Sequence, residues 1–376
     1  MILVMKADLP PDSPELRRVL DHALTFPGIH TELHVVQGAT RSLTEVYLLG
    51  PTGVVPTQTF EQFDIVEKVV RITQKYRYIG RHEGAIDAVG FEYNGVRISQ
   101  ETMHFFPGLC AVDTRQNVDR TFAALQAAKI VTARAGAYKP RTSPYDFQGR
   151  GAACLPWVFE SAGKHGVKIV TMEITREQHI DEIRQALLQS GGATGVMLQI
   201  GTRNAQNFEL LKAVGAQTEF PVLYKRGMGI TLEESLNACE YIASGGNRRI
   251  VFALRGVKSN LGDPHRNLVD FAHVPVVKQL TRLPVCIDPS HAVGRRTRMS
   301  DGLYDLQHAA AQGVIAGANI VLFDLHPAPG EALCDGPQAL TLDELGPLVE
   351  DLSLVRATYS QLVERAAARK QTAINL

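Results

Sequence analysis

The chain has 376 residues, 45% of them hydrophobic, with basic and acidic side chains in equal number, 39 of each. That length and apolar content allow a large buried core, as two domains or one large barrel with an addition. The balanced charge excludes a global field that would recruit nucleic acid or an acidic membrane, so local cationic clusters must serve small anions.

The five cysteines, Cys110, Cys154, Cys239, Cys286 and Cys334, are odd in number and form no CxxC pair. This argues against a disulfide framework or structural zinc and for a reducing compartment. The opening MILVMKADLP is too short an apolar run for a signal peptide, and nowhere do about 18 apolar residues stand together. A soluble cytoplasmic protein with no membrane partner is expected.

Taken in order, residues 1–75 read as a small α+β unit. Ile2–Met5 is a strand, Ser13 caps a helix with Pro14 at its first position, and that helix runs to about Leu24. Leu33–Val36 and Val46–Leu49 are strands, Phe60–Phe63 a helical turn and Ile65–Ile72 a β-branched strand. The order β-α-β-β-α-β predicts a ferredoxin-like module, of the ACT-like kind, with a candidate regulatory role. Residues 76–102 form a linker and a hairpin, Gly90–Tyr93 and Val96–Ile98 about Asn94-Gly95.

Residues 103–376 repeat apolar strand, loop and helix. The strands read as Phe105–Val112, Ile130–Ala133, Val167–Met172, Val196–Ile200, Pro221–Tyr224, Ile250–Leu254, Pro284–Ile287 and Ile320–Phe323. Helices fall between them, as at Thr231–Ala243 and Leu303–Ala316, and a long one closes the chain from about Leu342 to Ala368. Eight strand-helix units predict a (β/α)8 barrel, whose active site lies at the C-terminal ends of the strands. A doubly wound sheet is the alternative, but no GxGxxG follows the first strand.

Nearly every strand delivers a polar group to that end. In order these are Cys110; Arg134, Lys139 and Arg141; Glu173; Gln199, Thr202 and Arg203; Lys225 and Arg226; Arg255; Asp288 and His291; and Asp324 and His326, with Asp335 beyond. The stretch RAGAYKPRTSPYDFQG, Arg134 to Gly149, sets three cations in a proline-stiffened strand-to-helix junction, the makings of an anion site. Two chemistries separate. Arg134, Lys139, Arg203, Lys225 and Arg255 suit a substrate carrying phosphate and carboxylate, because guanidinium forks match planar or tetrahedral oxyanions. Cys110, His291, Asp324 and Asp335 mix S, N and O donors and suit a divalent metal of borderline softness. A buried apolar Cys110 with two loop-capping Asp is an equal reading of that second set.

RAGAYKPRTSPYDFQG (134–149), QIGTRNAQN (199–207), PVLYKRGM (221–228), DPSHAVGRR (288–296) and DLHPAPGEALCD (324–335) together resemble the 3-deoxy-D-arabino-heptulosonate 7-phosphate (DAHP) synthases. The likeness is to the type I branch with a ferredoxin-like extension, which is related to the 3-deoxy-octulosonate 8-phosphate synthases, and it spans essentially the whole chain. The KPRTSP form favours the erythrose 4-phosphate branch.

The resemblance implies condensation of phosphoenolpyruvate with erythrose 4-phosphate, releasing phosphate, at the first step of the shikimate pathway. It implies that Arg134, Lys139, Arg203, Lys225 and Arg255 hold phosphoenolpyruvate, with Glu173 and Thr202 as further substrate contacts. Arg141 and Thr142 would take the aldose phosphate. Cys110, His291, Asp324 and Asp335 would bind Mn²⁺, Co²⁺, Fe²⁺ or Zn²⁺, and Lys139, Arg134, His291 and Asp335 form the candidate catalytic set. It further implies a homo-oligomer, tetramer or dimer, and a module that in some relatives receives tyrosine or phenylalanine.

Four departures from the family pattern stand out. GLCAVD (108–113) replaces GPCSVE, so Asp113 stands for Glu; Leu254-Arg255-Gly256 replaces ERG; Asp324 is one methylene shorter than the usual Glu; and Val257–Asp263 replaces an IRT-containing loop. They motivate two alternatives, a specialised-metabolism paralogue using another aldose phosphate and a non-catalytic barrel that binds phosphoenolpyruvate or aromatic products.

Overall fold

The computed structural model of the chain describes residues 1–37, 42–71, 76–82 and 90–374, the side chains of 371–374 excepted. It divides into two compact units, Met1–Asp87 and Ala88–Leu376.

In the first unit β1 (Ile2–Met5), α1 (Pro14–Leu24), β2 (His30–Gln37), β3 (Ser42–Leu49), α2 (Gln58–Glu61) and β4 (Val66–Val70) follow in turn. The sheet order is β2-β3-β1-β4, every pair antiparallel, which is the ferredoxin-like arrangement. The Ser13 hydroxyl accepts from the Leu16 amide at 3.3 Å and starts α1. Leu16, Val19 and Ala23 recur every three or four residues, so one stripe of α1 meets Leu3, Met5, Val46 and Phe60. The alternate residues Ile2, Val4, Tyr47 and Val70 cluster on the opposite face. The last strand ends at Val70, and Ile72 lies outside the described residues.

The second unit opens with the hairpin of β5 (Phe91–Tyr93) and β6 (Val96–Ile98). Asn94 and Gly95 both have positive φ, 46° and 77°, as a two-residue primed turn requires. Eight parallel strands then close a barrel: β7 (His104–Leu109), β8 (Thr132–Ala135), β9 (Ile169–Ile174), β10 (Gly195–Ile200), β11 (Val222–Lys225), β12 (Ile250–Leu254), β13 (Val285–Ile287) and β14 (Ile320–Asp324). Between and after them lie α3 (Arg115–Ala127), α4 (Leu155–Lys164), α5 (Gln178–Gln189), α6 (Phe208–Ala216), α7 (Leu232–Ser244), α8 (His273–Leu280), α9 (Pro289–Val293), α10 (Asp305–Ile315) and α11 (Leu345–Ile374). The barrel architecture read from the sequence is therefore present.

Two boundaries differ for local reasons. Lys129 has φ 57° and the Ile130 amide bonds Leu125 O at 2.9 Å, so Ile130 finishes the helix cap and β8 starts two residues later. β7 ends at Leu109 because the chain swings across to β8, where the Val112 amide bonds Gly136 O at 2.8 Å. The hairpin closes the N-terminal end of the barrel. Val96 and Ile98 pack on Phe106, Ile169, Met197 and Ile320, Tyr93 Oη accepts from the Val196 amide at 3.2 Å, and Asn94 Nδ2 donates to Lys168 O at 2.7 Å. Among the described residues no helix is long and apolar enough to cross a membrane.

Candidate active site

The C-terminal strand ends carry their polar residues to one end of the barrel. Arg134 lies in β8, Glu173 in β9, Gln199 in β10, Lys225 in β11 and Asp324 in β14; Arg255 directly follows β12, and Asp288-Pro289-Ser290-His291 follows β13. Gly108 is needed for this geometry: a Cβ there would stand 2.1 Å from Arg134 O, and its φ is 149°. Only glycine lets β7 run that close to the strand carrying Arg134.

Cys110, His291, Asp324 and Asp335 each offer one donor atom within 4.8 Å of the others. His291 is aimed by Asp288, which is fully buried. Asp288 Oδ1 accepts from the His291 amide at 3.1 Å and meets Nδ1 at 3.1 Å. With Nδ1–H directed at that carboxylate, Nε2 faces Cys110 Sγ at 3.5 Å and Asp335 Oδ2 at 3.7 Å. Burial works against the charged ring, but Asp288, Asp324 and Cys110 outweigh it and push His291 up to about 10. Burial and Cys334 push the Cys110 thiol up, against Arg134 and Lys139. Burial likewise resists charge on Asp335, yet His291 and Lys139 hold its carboxyl well below the ordinary range. Asp324 is 1% exposed; it pairs with Arg134, accepts from Gln338 Nε2, and its amide bonds Ser290 Oγ at 3.0 Å.

This donor group fits a cation. Lys139 Nζ sits 2.6 Å from Cys110 Sγ and 3.1 Å from Asp335 Oδ2, showing that the cluster draws positive charge, and a thiol and imidazole beside two carboxylates suit a borderline transition metal better than Mg²⁺ or Ca²⁺.

Around it, Arg134, Lys139, Arg141, Thr142, Glu173, Thr202, Arg203, Lys225, Arg255, His291 and Asp335 line a common pocket. Arg134, Lys139, Lys225 and Arg255 are buried, between 2% and 9% exposed. Lys225 Nζ pairs with Asp288 Oδ2 at 2.5 Å. Arg255 has no such pairing: its Nη1 is buried without a hydrogen-bond partner among the described residues, and burial lowers its basicity, Asp288 opposing. Such a group is costly unless an anion meets it. Arg203 is more exposed and donates to Thr142 Oγ1 at 3.3 Å, tying two rim loops together.

Several expected polar residues are held by partners of their own. Arg226 turns out of the pocket to Asp270 at 3.0 Å and His273 at 2.9 Å. Gln199 Nε2 donates to Glu173 at 3.2 Å, while Thr202 Oγ1 donates to Arg226 O at 2.6 Å. His326 pairs with Asp113 at 2.8 Å and stands apart from the donor group. Leu254 is fully buried within β12. Sequence reasoning missed Arg266, which lines the pocket from the loop after β12, and Gln338, which holds the second oxygen of Asp324. It also missed Cys334, whose Sγ receives Arg141 Nη1 at 2.8 Å.

A parallel barrel with buried cations facing one pocket beside an S, N, O donor cluster defines a barrel enzyme whose pocket suits a phosphorylated or carboxylated anion beside a group that could hold a metal ion. The chain belongs to the DAHP synthetase I family, which matches residues 86–361. It is 34% identical over 354 residues to phospho-2-dehydro-3-deoxyheptonate aldolase of Thermotoga maritima, covering 94% of this chain and 96% of that protein. A crystal structure of the aldolase of that name (DAHP synthase) from the same organism superposes with a TM-score of 0.68 at 31% identity, covering 95% of this chain and 98% of that one. A 2-dehydro-3-deoxyphosphooctonate aldolase of Syntrophobacter fumaroxidans is 31% identical over 186 residues, 46% of this chain and 62% of that protein. Members of the family are generally metal-dependent, and the Cys110 group is where this chain could hold an ion.

Proposed function

We infer that the chain is a DAHP synthase joining phosphoenolpyruvate to erythrose 4-phosphate with release of phosphate, the first step of the shikimate pathway. The observation that carries this reading on the site itself is Arg255: a buried guanidinium with an N–H unpartnered among the described residues, in a pocket of buried cations beside a group that could hold a metal. Arg134, Lys139, Lys225 and Arg255 bind the phosphate and carboxylate of phosphoenolpyruvate, with Arg203 closing over them, while Arg141 and Thr142 take the aldose phosphate. Held by these charges, C3 of phosphoenolpyruvate faces the aldehyde carbon; a C–C bond forms, water adds at C2, and phosphate leaves with C–O cleavage. Lys139, 3.1 Å from Asp335, offers its ammonium proton to the aldehyde oxygen as charge develops there. Cys110, His291, Asp324 and Asp335 would hold Mn²⁺, Fe²⁺, Co²⁺ or Zn²⁺, which when bound supplies a Lewis acid for the aldehyde.

The test is loss of phosphoenolpyruvate in the presence of erythrose 4-phosphate, with Mn²⁺ and with chelator. Metal-dependent consumption supports the reading, and a folded protein that binds phosphoenolpyruvate without consuming it overturns it. Leu254 and the altered 257–263 loop favour a second reading, another aldose phosphate as acceptor, which a panel of aldose phosphates separates. We further propose a regulatory role for the ferredoxin-like module, tested by inhibition with tyrosine or phenylalanine. A homo-oligomer, dimer or tetramer, follows from the family likeness and would be overturned by a monomeric mass in solution. The five unpaired cysteines support a cytoplasmic location.

A further inference from the structure

The loop after β12 departs from the family pattern, and it delivers a pocket cation to which the motifs assign no role. Val257 and Leu268 pair in both directions, each amide 2.9 Å from the other's carbonyl, so the loop is closed at its base. Its far limb is stitched to α9, where the Arg266 amide bonds Val293 O at 2.9 Å, the Asn267 amide bonds Ala292 O at 3.1 Å, and Asn267 Nδ2 bonds His291 O at 2.7 Å. Gly294, at φ 79°, leaves the space that the Arg266 stem occupies; a Cβ there would lie 2.4 Å from Arg266 Cβ. Arg266 is thus fixed in backbone and stem, with its guanidinium lining the pocket.

That guanidinium lacks a full partner. Its Nη1 lies 3.4 Å from Asp335 Oδ1, while Oδ2 of the same carboxylate already meets Lys139, Cys110 and Cys334 at 3.0 to 3.1 Å. One carboxylate serving so many groups leaves cationic capacity for an incoming oxyanion. Depth decides which substrate it meets. The buried cations sit at 2% to 9% exposure, whereas the Arg266 side chain is 40% exposed and Arg141, near the same Asp335 through Cys334, is 23% exposed. On the synthase reading, a substrate lying above phosphoenolpyruvate would meet these two rim arginines.

We propose that Arg266 is a binding residue for the acceptor aldose phosphate, donating to its oxygens opposite Arg141. The inference rests on the synthase reading above, and the experiment separates the two. Full-length Mn²⁺-loaded wild type, Arg266→Ala and Arg266→Lys are assayed for KM of both substrates, for kcat, and for Mn²⁺ affinity by chelator competition. In parallel, equilibrium binding of erythritol 4-phosphate, which has no aldehyde to react, is measured on the same proteins. Loss of a charge-assisted contact should raise the KM for erythrose 4-phosphate and weaken erythritol 4-phosphate by roughly 10- to 100-fold in Arg266→Ala. Phosphoenolpyruvate KM and Mn²⁺ affinity should stay near wild type, and Arg266→Lys should recover part of the loss, since it keeps the charge but not the fork. Wild type that binds erythritol 4-phosphate but turns nothing over sinks the synthase reading alone. Equal erythritol 4-phosphate binding by wild type and Arg266→Ala, no binding by either, or a change confined to Mn²⁺ affinity overturns the role of Arg266 and leaves it a neighbour of Asp335.

Discussion

The two ends of the barrel solve opposite problems with the same eight strands. At the N-terminal end the hairpin drives Val96 and Ile98 among Phe106, Ile169 and Ile320, and apolar burial dominates, with the Tyr93 and Asn94 hydrogen bonds at its edge. At the C-terminal end four buried cations stand within one pocket, where hydrophobic burial contributes little and desolvated charge costs a great deal. Arg134, Lys139 and Lys225 are held there by Asp324, Asp335 and Asp288, while Arg255 keeps an N–H without a partner among the described residues. Stability is concentrated at one end and spent at the other, as expected where strand ends carry chemistry.

The comparison can be broken most severely at the metal group. Chelation should abolish turnover, and His291→Ala or Cys110→Ala should lower activity by at least about 100-fold with added Mn²⁺, while circular dichroism of the barrel stays unchanged. Next comes Lys225→Met, which leaves the fully buried Asp288 carboxylate with His291 but without its ammonium partner and should destabilise folding by up to about 3 kcal/mol in denaturant titration. Adding Asp288→Asn should restore much of that stability but none of the phosphoenolpyruvate binding. At the opposite end, Ile98→Ala should cost about 2–4 kcal/mol of stability and leave KM and kcat alone, sharpening the division.

The smallest effect concerns Asp113. Burial alone would raise its carboxyl, but Asn117, His326 and the Thr114 amide outweigh that and hold it below its ordinary 3.8. A carboxylate lowered on folding stabilises above its unfolded value and loses that contribution as pH falls through the folded one. Asp113→Asn should therefore cost about 1 kcal/mol above about pH 5, with the gap to wild type closing in acid below 3.8. A gap that widens in acid would reverse the assignment.

Much of the barrel was legible because strands covered on both faces read as unbroken apolar runs, such as Ile250–Leu254, whose limits the structure reproduces. Their C-terminal neighbours could then be assigned to one end of the barrel by topology alone. Direction was not legible. Lys225 and Arg226 are adjacent, yet successive side chains leave the chain on opposite sides, and only Lys225 reaches the pocket. Arg266 escaped notice because its place depends on bonds to α9 across an irregular loop that has no period. Gln338 was silent for a similar reason, since what marks it is a contact to the short Asp324 across 14 positions. Residues tied by long-range contacts leave little trace in local pattern.

The interior of the barrel is filled by its own side chains, with Val96 and Ile98 packed against them from the N-terminal end, so the pocket at the other end is a cul-de-sac. Whatever enters must leave by the same door, so on the proposed reading depth becomes an order of arrival: a molecule held by the buried Arg134, Lys139, Lys225 and Arg255 would be seated before a partner settles by the more exposed Arg141 and Arg266. On that reading a newcomer parked at the rim first would block the corridor, and the traffic rule would lie in the filled barrel beneath the pocket.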